Sequence, residues 1–243
     1  MGIASGTDET GRSDIVVQAV GIGKSYLSGS VRLDVLKDIS LSIHRGEIIA
    51  ILGASGVGKS TLLHILGTLD RPSTGTVVIN GTDLFSLSEE GIAAVRNKAI
   101  GFVFQAHHLL PEFTALENVM MPLLIGAQSW SAAKERATAI LGAVGLSERL
   151  NHKPGELSGG EQQRVAVARA LSGEPEVVLA DEPSGNLDRS NGAALLEMIW
   201  ELSRKHHQAF VIVTHDESIG LRADRTLRLV DGRLNDETTD KRI

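Results

Sequence analysis

The stretch Glu47-Ile48-Ile49-Ala50-Ile51-Leu52-Gly53-Ala54-Ser55-Gly56-Val57-Gly58-Lys59-Ser60-Thr61 decides the fold. Residues 47–52 form a short, Ile-rich apolar run that reads as a buried strand. After Ser60, Leu62, Leu63, Leu66 and Leu69 recur at helical spacing. Between the two, Gly53-x-x-x-x-Gly58-Lys59-Ser60 fits the phosphate-binding loop pattern in full, in the strand–loop–helix setting that the pattern needs. Glycines at 53, 56 and 58 let the backbone wrap phosphates, with successive N–H groups turned inward as an anion nest. The helix N-terminus adds its positive dipole there. Lys59 is expected to reach the β- and γ-phosphates and the Ser60 hydroxyl to hold Mg²⁺, with Ala54, Ser55, Val57 and Thr61 completing the loop.

A second apolar run, Val177-Val178-Leu179-Ala180, ends in Asp181-Glu182 ahead of Pro183. In parallel sheets, ligands gather at the carboxyl ends of strands. Asp181 is therefore expected on Mg²⁺, through water that the ion retains. Glu182, one residue further, is placed to polarise an attacking water as general base. Alone, an Asp-Glu pair after a strand is commonly a solvated turn; the phosphate loop turns the reading to catalysis. Pro183 requires the chain to leave the strand extended or in a turn.

Leu157-Ser158-Gly159-Gly160-Glu161-Gln162 precedes a helix with Val165, Ala168 and Leu171 at helical spacing. A Ser-Gly-Gly helix start is either an ordinary N-cap or a second anion-binding device. With Gln163 to Leu171, this run resembles the signature motif and following helix of the ATP-binding cassette (ABC) ATPases, a resemblance that extends from about residue 15 to 234. The resemblance implies a P-loop NTPase (RecA-like) α/β fold: a mainly parallel sheet core, an antiparallel β-subdomain and an inserted α-helical subdomain. It implies ATP as substrate and a head-to-tail dimer with a second copy, in which Ser158, Gly159, Gly160 and Glu161 meet the nucleotide held by the other copy's phosphate loop. Tyr26 falls at the adenine-stacking position, although a tyrosine by an early strand is more often packing. Gln105, after the run 100–104, matches the glutamine that contacts Mg²⁺ or the attacking water. His215, after the run 210–214, matches the switch histidine on the γ-phosphate. Asp188, in Ser184-Gly185-Asn186-Leu187-Asp188, matches a dimer-seam residue, and an Asp here equally caps a helix expected over 191–203.

The chain has 243 residues, 42% of them hydrophobic, enough for one domain with a full core. Residues 1–13 are expected to be a mobile tail and 14–243 a single ABC ATPase domain, with the core at about 14–105 and 161–243 and the helical subdomain at about 106–160. Strand-like pieces at 15–20 and 35–43 suggest the antiparallel subdomain, and helices are expected over 115–124 and 132–144. Net charge is −6 with no basic stripe, which gives nucleic-acid binding no electrostatic support. Absence of cysteine removes disulfides and agrees with a reducing compartment. Apolar stretches such as 119–125 are too short to span a bilayer, and the N-terminus has no signal-peptide core. The pairs His107-His108 and His206-His207 do not form a metal site, because adjacent residues do not share a helix face.

Leu109, Leu110 and Phe113 crowd the loop after Gln105. Some are expected in a local core; together they also suit a groove for an integral membrane subunit, contacted through about residues 105–125. The run 106–126, with Leu66-Gly67-Thr68-Leu69-Asp70-Arg71-Pro72 and Val213-Thr214-His215-Asp216, resembles the ATPase subunits of bacterial lipoprotein-releasing systems. Ser184, where such chains usually carry Thr, is a departure. This resemblance implies LolC/LolE-like membrane partners and a peripheral place on the cytoplasmic face of the bacterial inner membrane. Sister ATPases of macrolide-export or cell-division type share the core motifs; soluble ABC switches carry insertions that this chain lacks.

Overall fold

The computed structural model describes residues 14–29 and 31–238; the expected tail at 1–13 lies outside the described residues. The chain opens with β1 (Ile15–Ser28), β2 (Val31–His44) and β3 (Ile48–Leu52), then α1 (Lys59–Leu66), β4 (Thr74–Ile79) and β5 (Thr82–Asp83). Next come α2 (Glu89–Ala99), β6 (Ile100–Val103), α3 (Ala115–Ile125), α4 (Trp130–Ala143) and α5 (Gly159–Leu171). It closes with β7 (Val177–Asp181), α6 (Arg189–His206), β8 (Ala209–Thr214), α7 (Glu217–Arg222), β9 (Arg225–Val230) and β10 (Arg233–Asp236).

A six-stranded sheet in the order β10-β9-β3-β8-β7-β6 forms the centre, parallel except for β10, and an antiparallel sheet β2-β1-β4-β5 packs beside it. Side-chain alternation sorts the central strands onto two faces. Ile48, Ala50, Val178, Ala180, Phe210 and Ile212 join the core shared with α3, α4, α5, α6 and α7. Ile49, Ile51, Val177, Leu179, Val211 and Val213 join the core shared with α1 and the antiparallel sheet. Both faces are covered, which is why these strands read as unbroken apolar runs. The helical insert has no separate core: Val119, Ala137 and Leu141 belong to the same cluster as Val165 and Phe210.

Two expectations are corrected. Helix α1 stops at Leu66, so Leu69 lies outside it and 47% exposed. Gly67 ends the helix where a Cβ would collide with the Phe102 ring, and Thr68 turns left-handed at φ 56°. The first strand runs on to Ser28 rather than ending near Val20, because β2 and β4 supply its hydrogen bonds through register shifts around Ile22 and Lys24.

Candidate functional site

Register brings the site together. Leu52 pairs with Thr214 and Asp181 with Val213, so the ends of β3, β8 and β7 lie side by side. Their continuations line one cleft of about 760 Å³, with Ser55, Gly56, Gly58, Lys59, Ser60 and Thr61 from the phosphate loop, Asp181 and Glu182 after β7, and His215 after β8. Gln105 after β6, Tyr26 from β1, and Leu33 and Val35 from β2 complete the lining.

The loop is built for an anion. Gly58, the residue before α1, sits at φ 106°, and a Cβ there would press on Val35 Cγ1 at 2.8 Å. No side chain caps this helix and no acidic residue occupies its first turn, so the N–H groups there remain available to a ligand. Buried Lys59 curls back across the loop, its Nζ donating to Gly53 O at 2.8 Å and Ala54 O at 3.0 Å.

Glu182 is held in the left-handed region at φ 45°, a conformation that a non-glycine residue adopts only when its surroundings fix it. Its N–H donates to Val213 O at 2.9 Å. Its Oε1 accepts from His215 N at 3.1 Å and stands 2.8 Å from His215 Nδ1, while Oε2 accepts from the Thr214 hydroxyl at 2.8 Å. Thr214 Oγ1 in turn accepts from Asp216 N at 3.0 Å. The carboxylate is thus fixed by the end of β8.

Tyr26 lies with its ring exposed at the cleft, its hydroxyl donating to Asp70 Oδ2 at 3.0 Å. Lys24 Nζ stands 4.9 Å from the ring centroid and 2.7 Å from Asp70 Oδ1. Burial raises the Asp70 pKa, but bonds from Lys24 and Tyr26 outweigh it and leave the carboxyl below its ordinary value. Gln105 Nε2 donates to Asn186 Oδ1 at 3.0 Å, and Asn186 Nδ2 returns a bond to Gln105 O at 2.9 Å.

Ser158 to Glu161 and Asp188 do not line this cleft. Ser158 caps α5 in a reciprocal box with Glu161. Glu161 engages both oxygens inside the chain: Oε2 accepts from Ser158 N at 2.8 Å, and Oε1 pairs with Arg149 Nε at 2.8 Å. The Arg149 bond, then the Ser158 bonds, pull its pKa down to about 2. The N–H groups of Gly159 and Gly160 have no partner within the helix. Asp188 caps α6 by accepting from Ser190 N and Asn191 N, and the Asn191 N bond, then the Ser190 hydroxyl and the Asn191 side-chain amide, pull its pKa down to about 2.

Thr214, Leu33 and Val35 belong to the site and are absent from the sequence expectations. Thr214 carried a signal in its place between a strand and a histidine; for Leu33 and Val35 only the folded hairpin shows that they face the loop.

The sequence profile of the ABC transporter family matches residues 36–185. The chain is 56% identical over 219 residues to the lipoprotein-releasing system ATP-binding protein LolD of Geobacter metallireducens, covering 90% of this chain and 97% of that one. It is 54% identical over 218 residues to the protein of the same name from Bordetella pertussis, covering 90% and 94%. Among solved structures, the dimeric post-hydrolysis state of the ATP-binding cassette MJ0796 bound to ADP and Pi superimposes with a TM-score of 0.83 at 38% identity, covering 91% of this chain and 98% of that one. The chain therefore belongs to the ABC transporter family and is one of its ATP-hydrolysing cassettes.

Proposed function

We propose that this chain is the ATPase subunit of a lipoprotein-releasing ABC transporter, working as a head-to-tail pair on the cytoplasmic face of the bacterial inner membrane. The observation that carries the reading is a division of labour. One cleft gathers the phosphate loop, Gln105, Asp181, Glu182 and His215, while the Ser158-Gly159-Gly160 turn, with its free N–H groups, stands outside that cleft. A second copy supplies the missing cap. The MJ0796 cassette is dimeric with ADP and Pi bound, which supports this arrangement.

In this reading Lys59 exchanges its loop carbonyls for the β- and γ-phosphates, and the N–H groups of residues 53–61 wrap the phosphate chain. Tyr26 stacks on adenine. Ser60, Gln105 and Asp181 line the same cleft, and their hydroxyl, amide and carboxylate oxygens make up a hard donor set that fits Mg²⁺. When bound, that ion neutralises charge on the phosphate oxygens. Glu182 takes the proton of the attacking water, oriented by Thr214 and His215. His215 donates to the γ-phosphate as charge builds there. Asp188 and Glu161 serve by shaping the helix starts at the seam.

The loop and helix over residues 105–125 form the surface for LolC/LolE-like membrane subunits. Leu110 and Phe113 are partly exposed there and Ile125 is 68% exposed. Relatives named LolD at more than half identity support this cargo over the macrolide-export and cell-division alternatives. No helix among the described residues is long and apolar enough to cross a membrane, so the stroke has to be passed to other chains. Pull-down from detergent-solubilised membranes tests the assignment. It is expected to recover integral subunits of a lipoprotein-releasing system, and recovery of a different transporter would overturn it.

A further inference from the structure

Residues 104–108, which lead from β6 toward the helical insert, are strapped along helix α5. The backbone carbonyls of the strap are held by side chains. Buried Gln163 Nε2 donates to Phe104 O at 3.0 Å. The Arg169 guanidinium donates to His107 O at 2.8 Å and to His108 O at 2.7 Å. One bond runs the other way: His107 Nε2 lies 3.0 Å from Gly159 O. A carbonyl only accepts, so this ring nitrogen carries the hydrogen.

Gly159 and Gly160 open α5, where their N–H groups have no partner within the helix. A Cβ at exposed Gly159 would meet only Leu187 at 3.8 Å, whereas Gly160 is buried and a Cβ there would press on Asn191 at 3.2 Å. Packing against Asn191 fixes the Gly160 end of the turn, and at Gly159 its direction is left to hydrogen bonds. Ser158 and Glu161 fix its start from within the helix. His107 is a tether from outside, and it stands in the same strap that carries Gln105 in the cleft.

We propose that His107 is a positioning residue for the signature turn. By holding Gly159 O it aims the Gly159 and Gly160 N–H groups, and it makes the loop gripped by a membrane subunit and the cap offered to the other copy's nucleotide shift together. The inference rests on the head-to-tail reading above. It adds a direct route from partner surface to cap that does not pass through the phosphate loop.

The test uses the full chain in two backgrounds, native and Glu182→Gln, with His107→Ala, His107→Phe and His107→Gln in each. Gln offers an amide N–H in place of the ring N–H; Ala and Phe offer none. Turnover of ATP, nucleotide affinity of the monomer and ATP-driven dimerisation are measured, with thermal unfolding as a check on folding. Loss of one aiming hydrogen bond is expected to lower kcat and weaken the ATP-dependent dimer by about tenfold in the Ala and Phe variants. Monomer affinity stays unchanged, and Gln restores both properties to within about threefold. Should His107→Ala fail to fold, the Phe and Gln pair carries the comparison. Equal dimerisation and turnover in all variants, equal loss in all three, or a matching loss of monomer affinity would each overturn the assignment. If the Glu182→Gln parent stays monomeric with ATP, the head-to-tail reading falls and this inference with it. If that parent dimerises and His107→Phe does so equally well, only the role of His107 falls.

Discussion

Glu182 and His215 close on each other across neighbouring strands, with Glu182 Oε1 2.8 Å from His215 Nδ1 and also accepting from His215 N. Neither residue finds this geometry locally. Glu182 is turned back by its left-handed backbone, and His215 is delivered by the parallel register of β7 and β8. Glu182→Gln keeps the fold and nucleotide binding but removes the proton acceptor. Hydrolysis is expected to fall by at least about a hundredfold. Single-turnover assays check this, and near-native hydrolysis would remove Glu182 from the chemistry.

Thr214 completes that pair from below, its buried hydroxyl bonded to Glu182 Oε2 and to Asp216 N. Thr214→Val preserves shape while deleting both bonds and leaves Asp216 N without its acceptor. We expect kcat to drop about tenfold and stability by about 1–2 kcal/mol, with nucleotide affinity retained. Steady-state kinetics beside urea unfolding separate the two effects.

Lys59→Ala removes the ammonium that bridges Gly53 O and Ala54 O at the centre of the phosphate loop. Electrostatic stabilisation inside such a cleft is worth about 3–4 kcal/mol, so turnover is expected to disappear into background. Activity retained at a tenth of native or better would contradict the phosphate-loop role.

Tyr26 is oriented by Asp70, which Lys24 also holds. Tyr26→Ala deletes the stacking face, worth about 1–3 kcal/mol per base, and should raise KM for ATP at least about fivefold with kcat little changed. Asp70→Asn loosens the ring without deleting it and should give a smaller rise in KM. A fall in kcat at constant KM in either variant would point away from base stacking.

Glu161 gives a pH signature. Its carboxyl titrates near 2 in the folded chain against an ordinary value of 4.5. The group is therefore ionised more readily when folded, and its pairing with Arg149 stabilises the fold fully above about pH 4.5. That contribution fades as pH falls toward 2. Glu161→Gln keeps the capping box but turns an amide NH2 toward the Arg149 guanidinium, so it loses the charge and the Arg149 bond together. Chemical denaturation should show the variant less stable by about 1 kcal/mol at pH 7, with the gap to the parent closing as pH falls from about 4.5 toward 2. A gap that is constant with pH would mean that the pair contributes nothing.

The parts of the site that were legible in the sequence are those in which the motif carries its own geometry. Residues 47–61 specify a strand, a glycine loop and a helix start without reference to anything distant, and the chain folds them so. Apolar runs ending at Asp181 and Thr214 give strands whose ends must meet in a parallel sheet. What could not be read is tertiary: the bond from His107 to Gly159 spans 52 positions, and the fork of Arg169 on two loop carbonyls spans about 60. Strand β1 outran its apolar pattern because its partners extend it past the polar Lys24 and Ser25. Nor could the partner of Glu161 within the chain be read: its carboxylate pairs with Arg149, twelve positions earlier.

The central claim is that Ser158-Gly159-Gly160 of one copy caps the phosphates held by the other. The chain contains no cysteine, so single cysteines can be introduced without a background. Ser55→Cys and Ser158→Cys, each in the Glu182→Gln chain, are mixed and oxidised with and without ATP. A disulfide-linked heterodimer that forms with ATP, is absent with ADP, and is not matched by either single variant alone is the predicted result. Equal crosslinking with and without ATP, or no mixed crosslink in an ATP-bound sample that is dimeric by gel filtration, would contradict it.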